Sequence, residues 1–448
     1  MPFRRFFDRG AKQDAPDQPA EHDVEQVAET DEVEVEVEVD DAAPEDADHI
    51  DWSVRARAVL PTGASTGSKR PAALFGADDA IGPTHFLQSV GCRVIDADGN
   101  EYIDCTMALG SVALGYAEPN VTRAVIDAAA HGNVAALSSV REVEVAERLH
   151  GIIPCAEQVQ FLKSGAEAVA AAVRIARTYT GRDVIVGCGY FGWLDWNSDA
   201  LGVPEATRAL YRPVKFDDIP ALERAVGDAG NRLAAIVIEP VIERLPSVEW
   251  IARARAMCDT AGAVLIFDEI KTGFRLRPGG YQAYVDITPD LAAFGKAMAN
   301  GYPLSAVVGK RDVMDAARRT WISSTLASES TALAAAGAVL DWHEQAEICE
   351  TLWTTGADMR TALDAAITAS GTSGVAIEGI DPMWLMRWND PARERRFLEL
   401  AAANGVLFKR GAYNYAAMAH DDETIQAIES AASAALVELA EEEGRERA

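Results

Sequence analysis

From residue 121 onward, short apolar runs alternate along the chain with segments that have the apolar–polar periodicity of a helix. Short apolar runs, typical of buried strands, occur in VQFL, DVIVGC, LAAIVIEP and AVLIFDE. Segments with helical periodicity lie between them, in EAVAAAVRIARTY, IPALERAV and WIARARAMCDTAG. This alternation is typical of βαβ units, in which parallel strands are joined by helices. The sequence therefore predicts an α/β fold with a mainly parallel sheet.

Shorter elements are predicted on both sides of this stretch. Two strands between Gly91 and Asp104 flank the turn Asp98-Gly99-Asn100, which is a strong hairpin signal. Beyond residue 341, the pattern predicts a long helix, short strands and a last helix from Asp421. We expect a small α+β domain built from both ends of the chain. The predicted boundaries are an acidic extension at 1–51, the small domain at 52–110 and 341–448, and a large domain at 111–340.

Negative charge is concentrated near the N-terminus. Residues 8–51 contain 18 acidic and two basic residues, a net −16 of the −29 carried by the whole chain. This segment has almost no apolar surface to offset its ordering entropy, so we expect it to be disordered and solvating. Alternatively, it binds a protein partner through the arginines and phenylalanines of MPFRRFFDRG. Its acidity argues against nucleic-acid binding, which needs a basic surface.

The overall composition is that of a globular protein. Apolar residues make up 49% of the chain and charged residues 25%, both close to the averages for such proteins. No apolar stretch approaches the roughly 18 residues that span a bilayer. The start of the chain lacks the apolar core of a secretory signal. We therefore expect a cytoplasmic protein with no membrane anchor.

The cysteines and histidines form no recognisable motif. Six cysteines lie far apart without a CxxC pair, and seven histidines form no HxxH or HExxH set. A chain of this length does not depend on disulfides, so we expect reduced thiols. No metal site is predicted.

Two ionisable residues, Asp268 and Lys296, each follow an apolar run. Asp268 follows the run from Ala263 to Phe267, and Lys296 comes shortly after Leu291 to Phe294. Open α/β sheets bind ligands at the carboxyl ends of their strands, and a lysine in such a pocket can lose its proton and attack a carbonyl. Taken alone, however, such an aspartate is more often a helix cap and such a lysine a surface charge.

Several motifs around these two residues occur in a fixed order. They are DEI, KTGFR, TPDL, GKAMANGYPLSAVVG and SSTLASESTALAAAG. Together they resemble the class III pyridoxal phosphate-dependent aminotransferases, including the glutamate-1-semialdehyde 2,1-aminomutase-like branch, over residues 52–430. The resemblance implies the α/β fold-type I architecture, with a large cofactor-binding domain beside the small α+β domain. It also implies pyridoxal 5'-phosphate as cofactor and a homodimer.

The resemblance further implies which residues hold one end of the cofactor. Ser164, Gly165 and Ala166 begin a helix, whose free amides can bind the phosphate, although Ser-Gly before a helix is usually an N-cap. Tyr190 takes the position of the aromatic residue that stacks on the pyridine ring. Phe191 follows where relatives commonly carry histidine, and we expect it to be a packing residue.

The other implied contacts surround the ring and the reactive carbon. Asp268 pairs with the pyridinium nitrogen and Ile270 packs on the other ring face. Glu239, in IVIEPV, faces the site or, alternatively, caps a backbone group. Lys296 forms the Schiff base and then moves a proton as general acid and base. Thr325 reaches the phosphate of the neighbouring subunit, which makes the homodimer the active unit.

Arginines are the candidates for binding a substrate carboxylate, because the guanidinium fork matches its geometry. Arg70 and Arg410 are the candidates that we carry forward, and Arg275 is a third. For Arg70, a surface role is equally open. The C-terminal segment is also expected to line the substrate site, with Lys409, Asn414 and Tyr415.

The expected reaction transfers an amino group from a small-molecule donor to a keto or aldehyde acceptor. The string from Asn300 to Ser305 is similar to the branch that transfers amino groups between molecules, whereas the aminomutases keep a glycine-rich string there. A glutamate-1-semialdehyde-type aminomutase, an isomerase, is the alternative. From another class, a non-catalytic scaffold with an interacting acidic tail is also open, although a scaffold has no need for a lysine in a pocket.

Overall fold

The computed structural model describes residues 51–77 and 81–447. The expectations for the acidic extension, including its weak strand period, fall on residues outside this range. The chain from Asp51 onward forms one compact unit. Its α-helices are α1 (Trp52–Val59), α2 (Pro71–Phe75), α3 (Met107–Gly110), α4 (Pro119–Ala130), α5 (Val140–Ile152), α6 (Gly165–Thr180), α7 (Glu205–Arg208), α8 (Ile219–Ala229), α9 (Val248–Ala261), α10 (Tyr281–Val285), α11 (Arg311–Met314), α12 (Ser330–Gln345), α13 (Ile348–Ser370), α14 (Pro391–Ala403) and α15 (Asp422–Arg447).

The strands form three sheets, with seven, four and three strands. In chain order they are β1 (Phe86–Val90), β2 (Arg93–Asp96), β3 (Glu101–Asp104), β4 (Gln158–Leu162), β5 (Val184–Cys188), β6 (Tyr211–Pro213), β7 (Leu233–Ile238), β8 (Val264–Asp268), β9 (Leu291–Phe294), β10 (Ser305–Gly309), β11 (Val375–Ile380), β12 (Met383–Trp388), β13 (Val406–Leu407) and β14 (Asn414–Tyr415).

The seven-stranded sheet has the order β4-β10-β9-β8-β7-β5-β6. Strand β10 is antiparallel to both of its neighbours, and the remaining pairs in the sheet are parallel. The apolar runs form its central strands because both faces of the sheet are covered. The predicted α/β fold with a mainly parallel sheet is confirmed.

Alternate residues of the central strands enter two apolar layers. In β8, Val264 and Ile266 pack on the side of α6, whereas Leu265 and Phe267 pack on the side of α8 and α9. Helix α6 lies across β7, β8, β9 and β10. Because one helix crosses four strands, its N-terminus is held rigidly at one edge of the sheet.

The two ends of the folded chain pair with each other. Strands β2 and β3 form the predicted hairpin, and β13 adds to β3 in parallel, with Val406 opposite Ile103. Strands β11, β12 and β14 form the three-stranded sheet. This pairing agrees with a small domain built from both ends, and the domain boundaries themselves stay a prediction.

All six cysteines are buried and carry free thiols. Burial raises the pKa of these thiols, as for Cys188, whose pKa rises to about 12. High thiol pKa values keep the cysteines in the unreactive protonated form. No helix in the described ranges combines the length and apolarity needed to cross a membrane.

Candidate active site

The candidate site lies where the parallel strands end. Strands β5, β7 and β8 are neighbours in the sheet and run in the same direction, so the residues that follow them meet at one edge. A Cβ atom built on Gly189, after β5, would fall 2.4 Å from the Cβ atom of Glu239, after β7. The backbone N–H of Tyr190 donates to Oε2 of Glu239 at 2.9 Å. These two loops therefore form one wall of the site.

The predicted phosphate-binding residues lie at the N-terminus of α6. Ser164 is the N-cap, and its side chain forms a capping box with Glu167. The first amides of a helix have no acceptor inside the helix, so those of Gly165 and Ala166 can bind an anion. A Cβ atom at Gly192 would lie 2.4 Å from the Cβ atom of Ala166. This close approach places the loop after β5 against the start of α6.

Ile270 contacts both the start of α6 and the loop that carries Lys296. A Cβ atom at Gly165 would lie 3.0 Å from Cγ2 of Ile270, and one at Gly295 would lie 3.1 Å from its Cδ1 atom. The hydroxyl of Ser305 also donates to the carbonyl oxygen of Ser164 at 2.8 Å. The structure thus brings together three segments that the sequence could place only near strand ends.

Lys296 begins a short 3₁₀ turn, Lys296–Ala299, in a backbone conformation that is rare for lysine. Its φ angle is +48°, in the left-handed region, which costs energy and is often found at functional sites. The side chain of Asn300 supports this turn, because it accepts from the N–H of Leu114 at 3.0 Å and donates to the carbonyl of Gly115 at 2.9 Å.

The environment of Lys296 favours its neutral amine. Burial, together with the positive charges of Lys271 and Arg275, lowers its pKa to about 8. The carboxylates of Asp268 and Glu239 oppose this shift. A lysine with such a pKa can act as a nucleophile and as an acid–base group near neutral pH.

Asp268 is a buried carboxyl group at the end of β8. Its Oδ1 atom accepts from the N–H of Ile270 at 3.1 Å. Burial and the nearby Glu239 together raise its pKa to about 8, against the opposing effects of the Ile270 amide, Lys296 and Lys271. An additional cation would stabilise this carboxylate, and a protonated pyridine nitrogen supplies one. The donor set therefore fits pyridoxal phosphate.

Tyr190 and Phe191 have opposite environments. The side chain of Tyr190 is 77% exposed, and that of Phe191 is 1% exposed. The ring of Phe191 stacks on Trp196 at 5.5 Å and meets the edge of Tyr211 at 6.4 Å. Phe191 is a packing residue, as expected from its place in the sequence. Tyr190 is free to cover a bound ring.

Glu239 both caps a backbone group and pairs with a cation. One carboxylate oxygen accepts from the Tyr190 amide, and the other lies 2.6 Å from Nζ of Lys271. Lys271 belongs to the KTGFR motif, which by itself indicates no role for this lysine. Its position three residues after Asp268 at a strand end was the available signal. Glu269, by contrast, is fully buried and binds the N–H groups of Tyr281 and Gln282.

The candidate arginine Arg275 is bound to the backbone. Its guanidinium group is fully buried and donates to the carbonyl oxygens of Ala416 at 2.8 Å, Pro382 at 3.1 Å and Gly110 at 3.2 Å. These contacts leave little of the fork for a substrate. Arg275 therefore holds segments of the fold together and is no longer a candidate for binding the substrate.

Arg70 and Arg410 remain the two candidates. The Nε atom of Arg70 is buried without a hydrogen-bond partner among the described residues. Arg410 lies 3.7 Å from the carboxylate of Glu394. Lys409 donates to the carbonyl oxygens of Ser68 and Ala73, at 3.3 and 3.0 Å. Lys409 is therefore a structural tie that holds the Arg70 segment against the C-terminal segment.

Thr325 lies on an exposed loop before α12. This loop ends at Glu329, which caps α12 by accepting from the N–H of Thr331 at 2.8 Å and that of Ala332 at 3.1 Å. Glu329 also pairs with Lys163 at 2.7 Å. Glu329 thus supplies a helix cap beside the proposed phosphate loop.

Comparisons with known proteins agree with this geometry. The model of the class III aminotransferase family matches residues 79–189 and 209–427. The 2'-deamino-2'-hydroxyneamine transaminase of Streptomyces kanamyceticus is 35% identical, covering 75% of this chain and 84% of that protein. The glutamate-1-semialdehyde 2,1-aminomutase of Desulforapulum autotrophicum is 34% identical, covering 64% of this chain and 73% of that protein.

A solved structure is also similar over most of the chain. It is that of the FumI protein of Sphingopyxis sp. MTA144 in a form with pyridoxal phosphate, with 26% identity and a TM-score of 0.83. The match covers 88% of this chain and 97% of that one. The chain therefore belongs to the class III aminotransferase family, and its cofactor is pyridoxal phosphate.

Proposed function

We propose that this protein is a transaminase that moves an amino group from a small-molecule donor to a keto or aldehyde acceptor. The observation that carries the proposal is the electrostatic cluster of Lys296 and Asp268 at the sheet edge, beside the N-terminus of α6. A nucleophilic amine, a buried carboxyl group and an anion-binding helix end are the three groups that this cofactor chemistry requires.

Each group has a distinct role in the proposed reaction. Bound pyridoxal phosphate supplies an electron sink for the bonding electrons of the substrate carbon. Asp268 keeps the ring nitrogen protonated, and the amides of Gly165 and Ala166 bind the phosphate. Tyr190 and Ile270 cover the two ring faces and exclude water. Lys296 would take the proton from the substrate carbon and deliver it to the C4′ carbon of the cofactor, on the far side of the nitrogen.

The transaminase and the aminomutase differ in the fate of the nitrogen. A transaminase releases a carbonyl product from its donor and passes the nitrogen to a second molecule, whereas an aminomutase yields an isomer of its substrate. The test incubates the purified protein with ¹⁵N-labelled donors and separate acceptors, and follows both products by mass spectrometry. We expect labelled amine on the acceptor. An isomer with the same carbon skeleton and the same number of nitrogen atoms, formed without a separate acceptor, would support the aminomutase instead.

The names of the relatives guide the choice of substrates. The Streptomyces kanamyceticus relative is named as a 2'-deamino-2'-hydroxyneamine transaminase, and the Desulforapulum relative as a glutamate-1-semialdehyde aminomutase. We therefore include both of these substrates beside common amino and keto acids. Arg70 and Arg410 are our proposed ligands for a substrate carboxylate. The non-catalytic scaffold is disfavoured, because the family match covers the proposed site.

We also propose that the active unit is a homodimer in which Thr325 binds the phosphate of the neighbouring site. Two exposed apolar side chains, Trp321 and Leu326, lie on either side of Thr325. Asn133 binds the N–H groups at the start of α12, so the segment that follows Asn133 begins beside α12 and carries further exposed apolar residues. Those residues are Val134, Leu137 and Val140. Such a group of exposed apolar residues is typical of a protein interface.

Three further proposals concern the whole chain. The first concerns the domains, which are a small domain at 52–110 and 341–448 and a large domain at 111–340. The protein acts in the cytoplasm, which the six free thiols favour. The acidic extension at 1–51 is dispensable for turnover, with binding of a protein partner as its alternative role. Cell fractionation tests the proposed location, and a truncated chain beginning at residue 52 tests the role of the extension.

A further inference from the structure

Lys271 is a second buried lysine in the candidate site. Its side chain is 8% exposed, and its Nζ atom lies 2.6 Å from Oε1 of Glu239. The same ammonium group lies 4.1 Å above the ring centre of Tyr413. A buried ammonium is stable only when it is paired, and a carboxylate with an aromatic face supplies that pairing.

Glu239 connects Lys271 with the loop that carries Tyr190. With one oxygen held by Lys271, its other oxygen accepts from the N–H of Tyr190 at 2.9 Å. Gly189 makes this contact possible, because any Cβ atom there would meet Glu239 at 2.4 Å. Fixing the carboxylate of Glu239 therefore fixes the backbone of the residue that is proposed to cover the cofactor ring.

Tyr413 extends the same network to the C-terminal part of the chain. Its hydroxyl accepts from the N–H of Glu243, in the loop after β7, at 2.6 Å. Tyr413 is also close to Tyr415, with ring centres 6.1 Å apart. Lys271 thus links the loops after β5, β7 and β8 with the segment that is expected to line the substrate site.

The pKa values of the two lysines of the site, Lys271 and Lys296, are shifted in opposite directions. Burial lowers the pKa of Lys271, but Glu239 and the hydroxyls of Tyr413 and Tyr415 outweigh burial and raise it above its usual value. Burial, with a smaller contribution from the charge of Lys271, lowers the pKa of Lys296 to about 8. The groups that face Lys296 are Lys271, Asp268, Glu239 and Arg275. Opposite shifts of this kind assign a fixed charge to one group and a reactive amine to the other.

We propose that Lys271 is a positioning residue of the active site, which holds Glu239 and, through it, the Tyr190 loop, and whose charge keeps Lys296 a reactive amine. The inference rests on the proposed function only for the identity of the cofactor. The network itself consists of contacts within the chain.

A double-mutant cycle tests the proposal on the cofactor-free protein. The variants are Lys271→Met, Glu239→Gln and the combination of both. The first readout is the pH at which Lys296 becomes reactive to an amine acylating reagent, measured by peptide mapping. The second readout is the dissociation constant of pyridoxal phosphate, measured by fluorescence quenching. Neither readout needs turnover, so a failed transaminase assay leaves the test intact.

The expected results have opposite signs for the two single variants. K271M removes a nearby positive charge and leaves Glu239 unpaired, so the Lys296 midpoint rises and pyridoxal phosphate binds at least about tenfold more weakly. E239Q removes a negative charge, so the midpoint falls. The double variant has neither charge, and both its midpoint and its affinity return toward the wild-type values.

Two controls separate this role from general destabilisation. Lys271→Arg keeps the charge, and we expect a midpoint near that of the wild type. Lys310→Met removes another lysine–carboxylate pair, with Asp290 at 2.8 Å, and leaves both readouts unchanged. An unchanged Lys296 midpoint in K271M, or a double variant no better than K271M, would overturn the proposal. If K271M does not fold, the midpoint of E239Q and the rescue in the double variant still decide it.

Discussion

Gly192 lies directly against Ala166. A Cβ atom at position 192 would fall 2.4 Å from the Cβ atom of Ala166, a distance that real Cβ atoms do not reach. The loop after β5, which carries Tyr190, and the start of α6, which is proposed to bind the phosphate, are therefore in contact. The position of one loop depends on the other.

A methyl group at Gly192 should push the start of α6 out of place. We expect Gly192→Ala to weaken pyridoxal phosphate binding by about tenfold or more, because amide hydrogen bonds to the phosphate depend on their geometry. Gly202→Ala is the matched control. Gly202 has a similar φ of +93° against +86°, but nothing lies within 4 Å of its added Cβ atom. Equal losses in both variants would attribute the effect to backbone strain alone.

Asp268 should make the cofactor-free protein less stable as the pH rises. Its pKa is raised to about 8, so between pH 4 and 8 the folded state holds a proton that the unfolded state releases. The free energy of unfolding then falls with pH across this window. Asp268→Asn has no carboxyl group to titrate. At pH 8 we therefore expect its free energy of unfolding to exceed that of the wild type by on the order of a few kcal/mol, as the size of the pKa shift implies.

Urea unfolding of the cofactor-free proteins at pH 5 and pH 8 measures this difference. The same Asp268→Asn variant should lose nearly all turnover, since an amide does not keep the ring nitrogen protonated. A gain in stability together with a loss of activity is the signature of a functional residue. Parallel pH dependences for the two proteins would show that Asp268 titrates normally.

Arg275, which is buried, and Arg410, which is half-buried, should respond differently to substitution. Arg275→Met leaves three carbonyl oxygens without their donors, and we expect a loss of about 3 kcal/mol or more of unfolding free energy. Arg410→Ala removes only a distant pair with Glu394 and should cost about 1 kcal/mol or less. It should instead raise KM for carboxylate substrates. An unaltered KM would remove Arg410 from the proposed substrate site.

Mixing an inactive variant with an impaired one tests the role of Thr325 in the neighbouring subunit. Lys296→Ala lacks the reactive amine, and Thr325→Ala lacks the proposed phosphate contact. If Thr325 acts across a dimer interface, each mixed dimer contains one intact site, and mixing after reversible dissociation should restore activity. If Thr325 acts within its own subunit, mixing restores nothing beyond the activity of Thr325→Ala itself. Size-exclusion chromatography confirms that mixed dimers have formed.

The sequence predicted the sheet because its strands are buried on both faces. A run such as that of β8 must be apolar throughout when α6 covers one face and α8 and α9 the other. The β2–β3 hairpin was predicted because an Asp-Gly turn has a strong local preference. These features depend on neighbours in sequence, which a pattern can report.

The side-chain network of the site depends on neighbours in space. The pairing of Lys271 with Glu239 exists because β7 and β8 are adjacent in the sheet. The local pattern of apolar and polar residues does not predict which strands are neighbours. The backbone contacts of Arg275 join segments that are far apart in sequence. For that reason, the sequence indicated neither the pairing of Lys271 with Glu239 nor the backbone contacts that occupy Arg275.

The most direct test of the account is to identify the lysine that carries the cofactor. Borohydride reduction of the purified holoenzyme fixes the cofactor on its lysine, and mass spectrometry of proteolytic peptides locates it. Lys296 and Lys271 both belong to the site, so the result discriminates between two close neighbours. We predict a single modified peptide that contains Lys296. Modification of Lys271 instead, or no modified lysine at all, would contradict the central claim.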